Sequence, residues 1–123
     1  MKTLTTPFLA IALMAASPAF ADDCEAPEAP TLPDGSSASM EEMVAGQGAI
    51  KAFQAESGEY RTCLDTEIAA AQKRVKKGDE DDKAEAAAAF EAATEAYNAS
   101  VATEEKLAED FNTAIRAFKA ANP

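Results

Sequence analysis

Lys73-Arg74-Val75-Lys76-Lys77-Gly78-Asp79-Glu80-Asp81-Asp82 divides this chain into two helices. Cations suit the C-terminal end of a helix dipole and carboxylates suit the N-terminal end. A basic run, a glycine and an acidic run in that order therefore read as one helix stopping and the next one starting. Gly78 suits a left-handed C-cap. The expected elements are a helix over 38–77, a turn over 78–80 and a helix over 81–121.

Apolar periodicity on both sides of this junction supports that reading. Upstream, Met43, Ile50, Phe53, Ser57, Tyr60, Leu64, Ile68, Ala71 and Val75 recur at spacings of three and four, which makes one stripe on a helix. Downstream, Phe90, Ala93, Tyr97, Val101, Glu104, Leu107 or Ala108, Phe111, Ile115 and Phe118 do the same. Alanine fills much of the remainder, Ala86–Ala89 included, and alanine has the highest helix propensity. Asn122-Pro123 closes the second helix. The expected fold class is all-α: a long antiparallel two-helix hairpin, coiled-coil-like, with each helix about 60 Å long. Centring the turn on Asp79–Asp82 pairs Val75 with Ala86, Ile68 with Ala93, Leu64 with Tyr97, Phe53 with Ala108 and Met43 with Phe118. Large residues then often face small ones, as interdigitating layers require.

The segment ahead of the hairpin is of another kind. Residues 22–37 are rich in Pro, Ala, Ser and acids, with Pro27, Pro30 and Pro33 at every third position. That spacing favours polyproline II and forbids a helix. Pro33-Asp34-Gly35-Ser36 reads as a turn, and Ser37 or Ser39 as a helix N-cap with Glu41-Glu42 in the first turn. From Cys24 to Ser37 the extended arm measures about 40 Å. From Ser37 to Cys63 the helix measures about 39 Å. An arm reversed at Asp34-Gly35 would run back along helix one and bring Cys24 to Cys63. This match predicts a Cys24–Cys63 disulfide; two unpaired thiols, or a bond between chains, are the alternatives. The expected path crosses Ala45, Gly48 or Ala49, Ala52, Ala55 and Glu59. Glycine in a helix costs about 1 kcal/mol against alanine, so Gly46, Gly48 and Gly58 call for a reason. Close arm packing is the reason expected, and whether helix one stays unbroken at these glycines is left open.

The first 21 residues carry a compartment signal. Lys2 precedes the apolar run Phe8–Ala16, and Ala19-Phe20-Ala21 is a small-residue cleavage site. This is the pattern of a secretory signal peptide cut after Ala21, in a run shorter than the ~20 residues a spanning helix needs. Cleavage removes Lys2 alone among the charged residues, which leaves 10 basic against 22 acidic residues, a charge of −12. Such a chain repels nucleic acid and anionic membrane surfaces, so neither nucleic-acid binding nor membrane insertion after cleavage is expected. An oxidising compartment suits the two cysteines.

Catalytic signals are missing. The chain has no histidine, which removes the commonest general base and metal ligand. Two distant cysteines make neither a CxxC nor a zinc motif, and no phosphate-binding loop or nucleophile elbow occurs. Asp79-Glu80-Asp81-Asp82 lacks EF-hand spacing and is accounted for by helix capping. The basic run 73–77 is accounted for by the helix C-terminus, and Phe53, Tyr60, Tyr97 and Phe111 sit at seam spacing and read as core rather than as a ligand box. No catalytic residue, cofactor site or metal site is therefore expected, and the chain reads as a non-enzyme.

The stretches Cys24-Glu25-Ala26-Pro27-Glu28-Ala29-Pro30-Thr31-Leu32-Pro33-Asp34-Gly35, Met40-Glu41-Glu42-Met43, Lys51-Ala52-Phe53 and Tyr60-Arg61-Thr62-Cys63-Leu64 resemble a group of small exported proteins of Gram-negative bacteria. The resemblance covers roughly the first half of the mature chain. It implies a periplasmic location and a paired Cys24–Cys63, and carries no activity. The functional expectation is a non-catalytic structural or protein-interaction module of the cell envelope, with an unknown protein partner or a second copy on the hairpin's exposed edges. An acidic protein that binds cations or unfolded basic polypeptides, in the manner of a chaperone, is the alternative.

Overall fold

A computed structural model describes residues 24–123. The expected signal peptide and cleavage site, together with Asp22-Asp23, lie outside the described residues. Two helices make up the fold, α1 over Met40–Lys77 and α2 over Glu80–Ala121, packed against each other along their length. α1 is continuous through Gly46, Gly48 and Gly58. No strand occurs among the described residues.

Each helix starts on a side-chain cap. The Ser39 hydroxyl accepts from the Glu42 amide at 3.1 Å, and Glu42 Oε2 accepts from the Ser39 amide at 2.7 Å, a reciprocal capping box. Asp79 caps α2 by accepting from the Asp82 amide at 2.8 Å. The turn is therefore tighter than 78–80: only Gly78 and Asp79 separate the helices. Gly78 is also not left-handed. Its φ of −75° and ψ of 169° are extended, and its amide still bonds the Arg74 carbonyl at 2.8 Å. Its lack of a side chain serves another end, since a Cβ there would collide with the Asp82 carboxylate and the Arg74 carbonyl. Arg74 spans this corner, donating from Nε and Nη2 to Asp82 Oδ1 at 3.1 and 2.6 Å. The acidic and basic runs that mark the junction are thus used in capping it and pairing across it.

The core is a single seam in two clusters. Met43, Ile50, Phe53, Leu107, Phe111 and Ala114 are buried together toward the open end of the hairpin, with Ile115 and Phe118 against them. Leu64, Ala93 and Cys24 form the second, flanked by Tyr60, Ile68 and Tyr97. Both clusters draw on the apolar stripes of the two helices. Val75, which the spacing puts in the α1 stripe, is 37% exposed.

The arm joins α1 through a turn in which Ser36 donates to Asp34 Oδ1 from its amide at 3.0 Å and from its hydroxyl at 2.6 Å. These donors hold the Asp34 carboxyl below its ordinary value, so its contribution to the turn is present at neutral pH and is lost as pH falls through the lowered pKa. Gly35 is buried against α2, where a Cβ would collide with the Ala114 carbonyl. A close backbone approach, and not a positive φ, explains this glycine.

The three helical glycines separate by the same criterion. A Cβ on Gly46 would stand 2.9 Å from the Pro33 ring and 3.3 Å from Phe111. Gly48 and Gly58 have open space at that position, so arm packing does not account for them. Gly46→Val is expected to lower stability by about 1–3 kcal/mol through overpacking. Gly48→Ala and Gly58→Ala are expected to raise it by up to about 1 kcal/mol each. Urea denaturation followed by circular dichroism measures both signs.

Candidate functional site

A pair of helices has two lateral grooves, one on each side of the seam. In this chain the two differ. The arm enters one of them. Cys24 is bonded to Cys63 with Cα atoms 5.6 Å apart, and it is buried at 7% exposure against Leu64 and Ala93. Ala26 and Pro27 lie among Phe53, Ser57 and Tyr60 of α1 and Ala96, Ala99 and Ser100 of α2. Leu32 packs on the open-end cluster and Pro33 on Gly46. The arm thus lies between the helices, not over the alanine face expected from the sequence. Ala45, Gly48, Ala52, Ala55 and Glu59 are exposed, and Ala49 is half-buried. The groove offers both helices' apolar edges to Leu32 and the prolines, whereas the alanine face offers only one helix.

The side chains around the bonded cysteines are acidic. Glu25 and Glu28 of the arm and Glu56 and Glu59 of α1 surround an open cleft of about 560 Å³ beside Cys24, Tyr60 and Cys63. Among the described residues, one group of three potential metal ligands lies within 4.8 Å, namely Cys24, Cys63 and Glu67. Two of its three atoms are disulfide sulfurs and have no thiolate to give.

Between the two core clusters the seam turns polar. Arg61 Nη1 donates to Glu104 Oε2 at 2.7 Å and to Ser100 Oγ at 3.2 Å, with both charged side chains three-quarters or more shielded. Ser57 lies beside this layer, 0% exposed, and its hydroxyl has no hydrogen-bond partner among the described residues. A cross-helix ion pair inside an apolar seam penalises slipped registers, which would leave each charge unpaired.

The second groove carries no arm. Three clefts follow one another along it. At the open end, Met40, Met43 and Val44 face Phe111, Ile115 and Phe118 around a cleft of about 390 Å³. At mid-length, Gln54 and Arg61 face Val101, Glu104 and Ala108. Near the turn, Gln72, Val75 and Lys76 face Ala87 and Phe90 around about 300 Å³. The exposed large apolar residues of the described chain are Met40, Val44 and Val75, at 63%, 60% and 37%, and all three are on this side. Sequence reading missed the groove because it assigned one stripe to each helix. At about 100° per residue, Met40, Val44, Gln47, Gln54 and Arg61 form a second row beside that stripe, and this offset is the signal that was available.

The other sequence candidates fall into structural roles. Phe53 and Phe111 are buried in one core cluster, and Tyr60 and Tyr97 flank the other. Asp79 and Asp82 are engaged in the cap and in the Arg74 pair. No helix among the described residues is long and apolar enough to cross a membrane. No protein-family model, no curated protein and no solved structure matches this chain.

Two substitutions probe these features. The Cys24→Ser/Cys63→Ser double variant is expected to lose about 3–4 kcal/mol in urea denaturation on the chain-entropy model, while far-ultraviolet circular dichroism still reports the helices. Ser57→Ala removes a buried hydroxyl without a partner and is expected to be neutral or stabilising by about 1 kcal/mol in the same assay.

Proposed function

We propose that this chain is an exported, non-catalytic interaction module of the cell envelope, and that it presents its arm-free groove to another protein. One observation carries the reading: the exposed large apolar side chains of the described surface, Met40 and Val44 at the open end and Val75 near the turn, all lie on the side that the arm leaves uncovered. A monomer gains nothing from leaving these groups in water, and an apolar patch such as the one at the open end, where Met40 and Val44 meet Ile115 and Phe118, marks a site of association. The tethered arm supports the same reading. It covers one groove, and no segment among the described residues covers the other.

The absence of histidine and the shallow, open character of the clefts argue against catalysis, which needs enclosed, preorganised polar groups. The signal-like start of the sequence and the disulfide both support a role outside the cytoplasm.

Photo-cross-linking in the producing cell tests the proposal. A benzoylphenylalanine at Val44 or Val101 is expected to give a discrete adduct whose second component mass spectrometry identifies. The same group at Ala52 or Ala55, on the exposed alanine face, is expected to give none. Equal labelling from both faces, or no adduct from any position, would remove the interaction reading.

A further inference from the structure

Charge distinguishes the two grooves as sharply as coverage does. The chain holds 22 acidic residues against 11 basic ones. Around the bonded cysteines on the arm side the charged groups are Glu25, Glu28, Glu56 and Glu59. The arm-free side is the reverse. Lys119 is the sole charged residue lining the open-end cleft, and Lys76 is the sole one lining the cleft near the turn. By helical phase, Lys51 on α1 and Lys83 on α2 border the same face. The mid-length cleft has Arg61 and Glu104 neutralising each other in their ion pair, with Glu105 beside them. By helical phase Asp65 is also on this face.

We propose that the occupant of the arm-free groove is an amphipathic helix from another protein, with an apolar stripe bordered by aspartate and glutamate. The proposal rests on the interaction reading above and names its partner's chemistry. A helix laid along the seam would bury Met40 and Val44 at the open end, where the flexible, exposed Met40 side chain can adapt to its stripe. Its acidic borders would meet Lys51, Lys76, Lys83 and Lys119, which lets a strongly acidic protein bind an acidic segment. A second copy of the chain is the poorer fit. Face-to-face pairing sets one lysine border against another, and the acidic arm side has its apolar groove already filled by Leu32 and the prolines.

Two dye-labelled synthetic helices of about 18 residues test this in fluorescence anisotropy with the full mature, disulfide-bonded chain. Both carry the same leucine stripe; one is bordered by glutamate and the other by lysine. The glutamate-bordered peptide is expected to bind at least about tenfold tighter, with affinity falling as salt rises. Val44→Glu and Lys119→Glu, both at exposed positions, are each expected to weaken it by about tenfold or more with an unchanged thermal melt. Ala52→Glu, on the far face, serves as the control and is expected to leave binding intact. Equal affinities, a preference for the lysine-bordered peptide, or failure of both to bind overturns the proposal. Sedimentation that finds a dimer dissociated by Val44→Glu also overturns it and gives the groove to a second copy. The cross-linking experiment decides the broader interaction reading separately, because it does not depend on what borders the partner's apolar stripe.

Discussion

The Cys24–Cys63 bond is the constraint on which the rest of this architecture depends. Two helices alone bury one stripe each, which is little core for a chain of this size. The bond anchors the far end of an extended arm at mid-hairpin, and the turn at Asp34–Ser36 anchors its near end. Held at both ends, the arm fills one groove with Leu32, Pro33 and Pro27 and gives the seam a third element. An untethered proline-rich segment of this length would lose more conformational entropy on docking than so small an interface returns.

The tether also breaks the symmetry of the hairpin. A bare two-helix seam has two equivalent flanks. Here one flank is covered, closed by a covalent bond and bordered by glutamates, and the other is uncovered and apolar at its two ends, with Lys119 at one and Lys76 at the other. The polar layer of Arg61, Glu104 and Ser100 keeps the helices in one register, so the groups on the open flank hold fixed relative positions. Rigid helices, a fixed register and one uncovered flank suit the docking role proposed above.

Local chemistry was legible from the chain wherever a feature depends on near neighbours. Ser39 with Glu42, Asp79 with Asp82, and the basic-to-acidic switch around Gly78 each mark a helix end within a few residues. The stripe of Met43, Ile50, Phe53 and Leu64 identified the seam. Legibility failed where a feature depends on rotation about a helix axis. The arm was expected over Ala45, Ala52 and Ala55, and it lies instead a fraction of a turn away, between the helices. The same small rotation separates the seam from the row of Met40, Val44 and Gln47, which the single stripe assigned to each helix left out. Gly48 and Gly58 were grouped with Gly46, and only Gly46 has a neighbour at its Cβ position.

By itself, the sequence determined two helices, their approximate ends and the stripes along which they pack, and it pointed to a bond between the two cysteines. These follow from periodicity, capping and chain length, all of which are properties of contiguous residues. Tertiary structure alone decided which groove the arm enters, which glycines are constrained and which flank remains open. Those outcomes turn on where three elements meet in space. A groove belongs to two helices at once, so neither helix's residues can specify alone whether it is filled.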